Sequence, residues 1–376
     1  MAEILDWVSL SLTPGLGVSG YWRLVDHLGG PDRVLSSSRH DLLQVPGIRA
    51  GQVAGLGQSG PLYRRGEQEL VQLAGFGGQA INPEDEAYPN LLRQISDPPP
   101  VLYVYGRTEL LNGCCLAIVG SRAASGYGRR VAFSLAAHLA EMSVTIVSGL
   151  ALGVDVEAHN GALSVGGGTV AVLGCGLDVV YPAQNTKIFR SIRESGALVS
   201  EYPLATRPEG FRFPARNRII AGMSQGVVVV EAARKSGSLI TAQFALDEGR
   251  EVFAVPGQVD SFKSEGTHWL LKQGAKLVQT AEDVLEELRP GRPLEKADFP
   301  DNRAEISPIL EPDALFLLNS LDSYACSRDA LITKSGFSTG RVNELLLFLE
   351  LDGFVEILPG DEVRRVKEPS ITHKAV

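Results

Sequence analysis

The residues best suited to chemistry lie on either side of a short apolar run. Arg216 and Arg218 precede four consecutive valines within residues 226–231, and Lys235 with the turn Ser236–Ser238 follows them. A Gly/Ser turn that opens a helix presents free backbone N–H groups and the positive end of the helix dipole, which suits an anion. The cluster therefore predicts a phosphate-binding site. The alternative is that the arginines form surface ion pairs and that Ser236 or Ser238 only caps a helix.

The valine run predicts a strand that is buried on both of its faces, as in a parallel sheet. It belongs to a longer alternation of short apolar runs with segments of helical length, which indicates an α/β fold with a doubly wound, mostly parallel sheet. Ligands of such sheets lie beyond the carboxyl ends of the strands, where this chain places its Gly, Ser and Arg residues. The predicted strands cover residues 101–105, 116–119, 144–147, 169–173, 197–200, 226–231, 251–255 and 276–278, and the predicted helices cover 126–142, 157–163, 185–194, 239–248 and 266–273.

The chain divides into four predicted parts. Residues 1–75 read as short helices, and 76–288 form the sheet domain. Within the first part, residues 43–54 resemble a helix–hairpin–helix turn, with a small helical packing module as the alternative. Residues 289–312 contain five prolines and no periodic pattern, which predicts a linker. Residues 313–366 predict three helices and a hairpin, hence a winged helix, but nine acidic residues against five basic ones favour protein contact or regulation at least as much as duplex binding.

Composition and motifs exclude several classes of protein. The 376 residues carry a net charge of −9, so nucleic acid could be bound only by a local basic patch. No signal peptide and no apolar stretch long enough to span a membrane is apparent, which predicts a soluble protein. The four cysteines form no CxxC or Cys/His set, so we expect reduced cytoplasmic thiols, no zinc and no disulfides. Neither a Walker A nor a GxGxxG motif is present, and we expect no cofactor.

Catalytic candidates are few. His159 is a candidate base, although a structural histidine is the simpler interpretation, and Glu231 could act as a base or orient an arginine. The segment before the valine run is basic, and Phe211 and Phe213 alternate with its arginines. Aromatic rings among cations are typical of surfaces that stack bases and pair with the backbone of a single strand. The alternative is that these rings belong to the core.

The order of the motifs resembles the DNA processing protein A family, also called DprA or Smf. The resemblance covers about residues 80–280 and extends more weakly to the two flanking parts. It rests on Gly120-Ser121-Arg122, Ser148 to Asp155, Gly174 to Asp178 with Tyr181-Pro182 and Asn185, Ser200-Glu201-Tyr202-Pro203, Phe213 to Gly222, Glu231-Ala232, Ser236 to Ala242 and Pro256-Gly257.

This resemblance implies an extended Rossmann-like fold, flanked by a sterile-alpha-motif-like helical domain and a winged helix. It implies a homodimer that binds and protects single-stranded DNA, relieves the block by single-strand-binding protein and loads RecA during natural transformation. It implies no classical enzyme activity. The rival hypothesis is a Rossmann-like nucleotide N-glycosidase or phosphoribohydrolase, whose PGGxGTxxE signature is absent. The residues expected along the DNA phosphates are Ser121, Arg122, Gly149, Asn185, Lys187, Arg216, Asn217, Arg218, Lys235, Ser236, Gly237 and Ser238, with Phe211 and Phe213 as base-stacking candidates.

Overall fold

A computed structural model describes residues 2–56, 59–288, 311–321, 325–351, 354–358 and 360–365. The chain forms two compact units, Met1–Phe299 and Pro300–Val376. Most of the predicted linker, residues 289–310, lies outside the described residues.

The first unit is built on a sheet of nine strands in the order β1-β2-β6-β5-β4-β3-β7-β8-β9. The seven strands from β6 to β9 in this order are mutually parallel. At the edge beyond β6, β2 pairs antiparallel with β6, and β1 pairs antiparallel with β2. The predicted doubly wound, mostly parallel sheet is confirmed, and the short antiparallel β1 was not foreseen. The strands are β1 Gln79–Ile81, β2 Leu102–Gly106, β3 Cys114–Val119, β4 Val144–Ser148, β5 Thr169–Leu173, β6 Ala197–Ser200, β7 Gly226–Val229, β8 Glu251–Ala254 and β9 Lys276–Leu277.

Helices cover both faces of this sheet because the central strands are apolar on both sides. Along β5, Val170 and Val172 contact the core beneath one set of helices, and Ala171 and Leu173 contact the core on the opposite face. Helices α9 to α11 lie on the first face, and the remaining helices lie on the second. The helices are α1 Ile4–Ser11, α2 Gly17–Leu28, α3 Pro31–Ser36, α4 Arg39–Gln44, α5 Ser59–Phe76, α6 Gly126–Glu141, α7 Val154–Ser164, α8 Thr186–Ser195, α9 Arg212–Gly222, α10 Gly237–Asp247, α11 Glu265–Lys272 and α12 Ala281–Leu288.

The amino-terminal helices share a hydrophobic core with the sheet. Tyr103 on β2 and Leu198 on β6 are buried in the same cluster as Trp7 and Leu24, and the Trp22 indole donates a 2.7 Å hydrogen bond to the carbonyl of Pro98. After α4, residues 45–56 form turns with buried side chains rather than the second helix of a helix–hairpin–helix. A helical packing module, the alternative considered above, therefore describes this segment.

The described residues of the second unit form three helices and a small sheet, as the winged-helix prediction requires. Its helices are α13 Pro312–Asn319, α14 Arg328–Ser335 and α15 Thr339–Leu351, and its strands are β10 Cys326–Ser327, β11 Val355–Leu358 and β12 Glu362–Arg365 in the order β10-β12-β11. The two-residue β10 is too short to leave a signal in the sequence. Within the described residues of the whole chain, no helix is long and apolar enough to cross a bilayer, and no cluster of His, Cys, Asp or Glu could hold a metal ion.

Candidate nucleic-acid interface

The candidate site lies where the order of strands reverses. From β3 the chain proceeds through β4 to β6 on one side, then returns to place β7 to β9 on the other side of β3. The loops that leave β3 and β7 at the carboxyl edge therefore diverge and leave a crevice between them, the usual ligand position in open α/β sheets. Arg122 lies in the first of these loops and Lys235 in the second. Both side chains are exposed, and in the described part of the chain neither pairs with a carboxylate.

Arg122 takes part in a stack of side chains that we call the inner platform, formed by Tyr181, Phe213 and Arg122. The ring centroids of Tyr181 and Phe213 are 5.2 Å apart with planes at 23°, and the Arg122 guanidinium carbon lies 5.6 Å from the Phe213 centroid. The Tyr181 side chain is 43% exposed, so one end of the stack is open to solvent. Gly174, at the end of β5, leaves room for the Phe213 ring, because a Cβ there would lie 2.8 Å from Phe213 Cδ1.

The loop that carries Arg122 is held by a close approach of backbone. Gly153 has φ +80°, and a Cβ at this position would collide with the carbonyl oxygens of Ser121 and Arg122. The N–H of Val154 donates to the Ser121 carbonyl at 3.2 Å, and the Ser121 hydroxyl accepts the N–H of Ala123 at 3.2 Å. Ser121 thus shapes the turn and lets Arg122 extend into solvent.

The second loop ends at the amino terminus of α10, as the sequence pattern predicts. Ser236 caps the helix: its Oγ accepts the N–H of Ser238 at 3.4 Å and lies 2.8 Å from the Ser238 hydroxyl. Gly237 is exposed, and its carbonyl accepts a 3.3 Å hydrogen bond from Asn217 Nδ2, which ties α10 to α9. Lys235 and this turn also border a groove of about 510 Å³ whose lining residues are Arg234, Lys235, Ser236, Leu239, Ile240, Gln243 and Trp269.

Arg216 differs from the exposed cation that the sequence pattern suggests. Its side chain is 4% exposed, and Nη1 donates to the carbonyl oxygens of Gly149, at 3.0 Å, and Val172. Nε donates to Asn217 Oδ1 at 3.2 Å. The guanidinium thus joins the carboxyl end of β5 to the residue that follows β4, beneath the crevice. Position 149 has no room for a side chain, since a Cβ there would lie 2.8 Å from the guanidinium carbon of Arg216.

A buried carboxylate accompanies Arg216. Asp155 Oδ2 accepts the N–H groups of Gly149 at 3.2 Å and Ala151 at 3.3 Å. Burial raises the pKa of Asp155, and the charge of Arg216 acts in the opposite direction. Burial likewise lowers the pKa of Arg216 to about 10, against the effect of Asp155, so the guanidinium stays charged at neutral pH. Each group compensates the other, as buried charges require.

Arg218 is also enclosed. Its Nη2 donates to Glu201 Oε2 at 2.6 Å, and the two side chains are 14% and 9% exposed. Burial, then the charge of Glu201, raises the pKa of Tyr202, so this phenol remains protonated. Arg218 Nη1 is buried without a hydrogen-bond partner among the described residues. The ion-pair alternative therefore applies to Arg218.

The other predicted phosphate ligands divide between interior and surface. Asn185 is buried, and its Nδ2 donates to the carbonyl of Leu150 at 2.8 Å, which stabilises a residue with φ +54° in the loop after β4. Lys187, in the first turn of α8, is exposed. The structure thus groups Arg122, Lys235 and the α10 turn at the crevice and places Arg216, Arg218 and Asn185 behind them. Tyr181 belongs to a motif of the family resemblance but was not proposed as a binding residue, because its contact with Phe213 forms only in the folded chain.

The two candidate catalytic residues have structural partners. Glu231 is buried and accepts the N–H of Ser125 at 2.9 Å and the Ser125 hydroxyl, which places its carboxylate at the amino terminus of α6. His159 is fully buried, and its Nδ1 lies 2.7 Å from the Thr169 hydroxyl. Burial, then the charge of Arg216, lowers the pKa of His159 to about 3. A neutral, enclosed imidazole and a helix-capping carboxylate leave neither group open to a substrate.

In the winged helix, the arginine of α15 is neutralised. Arg341 donates to Asp313 at 2.9 Å, to Glu311 at 2.7 Å and to Glu344 at 3.0 Å. A helix that reads duplex DNA normally leaves such an arginine unpaired, so that it can contact base edges in the major groove. This arrangement agrees with the acidic balance noted in the sequence.

Comparison with known proteins gives consistent matches. The family model of DNA recombination-mediator protein A matches residues 79–289, and that of the DprA winged helix domain matches residues 301–361. Protein Smf of Escherichia coli is 43% identical over 305 residues, which cover 79% of this chain and 80% of that protein. DNA processing protein DprA of Streptococcus pneumoniae is 47% identical over 203 residues, which cover 54% of this chain and 72% of that protein.

Solved structures agree with these matches. The X-ray structure of DNA processing protein A from Streptococcus pneumoniae superposes with a TM-score of 0.67 at 36% identity, covering 76% of this chain and 99% of that one. A structure of DNA processing protein A from Helicobacter pylori, described for its single-stranded DNA binding mode, superposes with a TM-score of 0.51 at 33% identity. The match covers 56% of this chain and 95% of that one.

Proposed function

This chain belongs to the DNA recombination-mediator protein A family, and from that premise we propose that it binds single-stranded DNA along the carboxyl edge of its sheet. The observation that carries the proposal is the pairing of two features across one crevice. Arg122, stacked on Phe213 and Tyr181, lies on one side, and Lys235 with the amino terminus of α10 lies on the other. The cations and the helix amino terminus can bind phosphates, and the aromatic rings can stack on bases.

The buried residues have a supporting role in this proposal. Arg216 and Asn185 fix the loop after β4, and Asn217 fixes the start of α10, so that the exposed donors keep their spacing. Gly149, Ser121, Ser236, Gly237 and Ser238 supply the backbone turns, and Lys187 is a further exposed cation. Donors held in position before the ligand arrives lose less entropy on binding.

We favour a binding protein over the rival nucleotide hydrolase. A hydrolase needs a base within reach of substrate, and both Glu231 and His159 are buried in structural contacts. The Helicobacter pylori relative is described for binding single-stranded DNA, which supports the same choice.

The first prediction is a preference for flexible single strands. Fluorescence anisotropy with a labelled oligothymidylate should give clear binding, and the duplex of the same length should bind more weakly, because its bases cannot reach the inner platform. Free nucleotides should compete poorly, since each makes only one phosphate contact. Equal affinity for duplex and single strand would contradict the proposal, and release of free base from a nucleotide would favour the hydrolase.

We also propose that the bound strand is protected and passed to RecA in the cytoplasm during natural transformation, by a homodimer that acts against single-strand-binding protein. Family membership supports this step, and the winged helix, in which Arg341 of α15 is already paired with carboxylates, is better suited to contact protein than duplex DNA.

The second prediction concerns that step. When RecA and a single strand coated with single-strand-binding protein are mixed, adding this protein should shorten the lag before ATP hydrolysis. The Arg122→Ala/Lys235→Ala variant, in which two exposed side chains are removed, is the matched control and should shorten it less. A lag that wild-type protein leaves unchanged, despite normal DNA binding, would remove the RecA step and leave the DNA-binding proposal intact.

A further inference from the structure

A second aromatic and cationic cluster lies beside the inner platform. We call it the outer platform and define it as Tyr202, Phe211 and Arg212. The Arg212 guanidinium carbon lies 4.9 Å from the Tyr202 ring centroid and 5.5 Å from that of Phe211. Phe211 is 68% exposed, although a ring of its size is normally covered in a folded protein. Two rings therefore flank one cation at the surface.

The outer platform lies on the same edge of the sheet as the inner one. Tyr202 follows β6, two residues beyond its carboxyl end, and Phe211 and Arg212 stand at the amino terminus of α9, as does Phe213. Since β6 and β3 are separated by β5 and β4, their ends lie about 14 Å apart at the usual spacing of strands. A single strand that crosses this edge from Arg122 would pass over both clusters.

We propose that the outer platform is a second stacking site, at which the exposed face of Phe211 binds another nucleobase of the same single strand. Arg212 is not a free phosphate ligand here. Its Nη1 donates to the carbonyl of Arg207 at 3.1 Å, and its Nη2 lies 3.6 Å from Glu209. The guanidinium holds the Tyr202 and Phe211 rings in place, and its positive charge attracts the DNA strand. This inference rests on the proposed function and adds a base contact that the phosphate site does not require.

A carboxylate from the amino-terminal helices holds the loop that presents Tyr202. Glu69 on α5 is buried, and its Oε1 accepts the N–H of Leu204 at 2.8 Å. The next N–H, of Ala205, is accepted by Asp178 at 2.9 Å and 3.0 Å, and Ala205 has φ +58°, which alanine rarely adopts. Two carboxylates thus stabilise an unfavourable backbone conformation at Ala205, three residues after Tyr202. Glu69 is therefore a positioning residue for the outer platform.

Phe211→Ala tests the stacking site directly, and its exposure predicts an unchanged fold. The probe is an oligothymidylate in which one thymidine at a time is replaced by a fluorescent purine analogue that is quenched on stacking. Wild-type protein should quench the analogue at two separated positions. Phe211→Ala should restore fluorescence at one of them and weaken binding about 5- to 140-fold, the range for loss of one stacked base. Phe213→Ala should restore the other.

The length of the strand supplies a second readout. On a dithymidylate, whose two adjacent bases cannot span the roughly 14 Å between the ends of β6 and β3, only one platform can be filled. Phe211→Ala should therefore weaken binding of a strand of about 16 nucleotides much more than binding of the short one. Binding of an abasic strand should be unaffected by Phe211→Ala, because only phosphates remain.

Glu69 is tested by a matched pair of variants. Glu69→Gln keeps an oxygen that can accept the Leu204 N–H and should leave both quenched positions intact. Glu69→Ala removes the acceptor and should restore fluorescence at the outer position only. Equal loss of quenching at both positions in Glu69→Ala would show a general loss of structure and overturn the positioning role.

The inference and the proposed function fail in different ways. If wild-type protein does not bind the oligonucleotides, the proposed function fails. If wild-type protein binds, but quenches at one position and loses no affinity in Phe211→Ala, the outer platform is not a base site. A change in oligomeric mass in Phe211→Ala without any change in quenching would assign the exposed ring to contact with a second copy instead.

Discussion

Replacement of Arg216 by methionine is expected to lower the free energy of unfolding by about 3–5 kcal/mol, the usual cost of leaving a buried charge without compensation. Methionine fills a similar volume, so the loss is electrostatic in origin. Asp155 would keep a buried charge without compensation, and the carbonyl oxygens of Gly149 and Val172 would lose their donor. Urea denaturation of both proteins measures the difference.

The matched control is Arg122→Met, which removes the same type of side chain from the surface. Its free energy of unfolding should stay within about 0.5 kcal/mol of the wild-type value. Arg216→Met combined with Asp155→Asn should be more stable than Arg216→Met alone, because the uncompensated charge is then gone. If Arg216→Met unfolds like the wild type yet loses DNA affinity when fully folded, the guanidinium reaches the DNA after all and its interior position is not its working one.

This result would also explain what the sequence could and could not reveal about the site. Arg216 and Arg122 are the same residue type, and both stand near motifs at strand ends. Only tertiary packing separates them: Arg216 lies on α9, which crosses the ends of β4 and β5, and Arg122 lies in an open loop. Helix α9 itself was not predicted, because its residues Arg212–Gly222 mix basic, apolar and proline residues without a clear helical stripe.

The strands were easier to predict because burial on both faces leaves a strong local signal. Thr169–Leu173 and Ala197–Ser200 were predicted residue for residue, and β7 was predicted with two residues too many at its end. Val230 and Glu231, the two extra residues, are as buried as the strand, so hydrophobicity does not mark where pairing stops. At the edge of the sheet, the three-residue β1 has too little apolar content to be recognised.

Residues that come together from distant parts of the chain were the least predictable. Tyr181 meets Phe213, and Glu69 holds Leu204 across 135 positions of sequence. Phe211 and Phe213 were proposed together as stacking residues, but their different partners could be seen only in three dimensions. The sequence located the carboxyl edge of the sheet, and the fold decides which side chains on that edge are exposed to a ligand.

The exposed cations should show the opposite behaviour from Arg216. Replacing both Arg122 and Lys235 by alanine should weaken binding of single-stranded DNA about 25-fold at about 0.1 M salt. Each lost phosphate contact on a single strand changes the slope of log affinity against log salt concentration by about 0.7. The slope itself should become shallower by about 1.4. The effect should be the same for all base sequences, because phosphate contacts carry no base information. Fluorescence anisotropy across a salt series measures affinity and slope together.

Lys272→Ala is the matched control for these cations. This lysine is also exposed, but it lies in the last turn of α11, at the end of the helix that is farther from the carboxyl edge. Its removal changes the net charge by one unit, as each of the other substitutions does, and should leave the salt slope unchanged. If Lys272→Ala flattens the slope as much as Arg122→Ala, the DNA responds to overall charge and no ordered phosphate site exists. If the double variant keeps its slope but its melting temperature falls, Arg122 and Lys235 stabilise the fold, and the strand must cross the protein elsewhere.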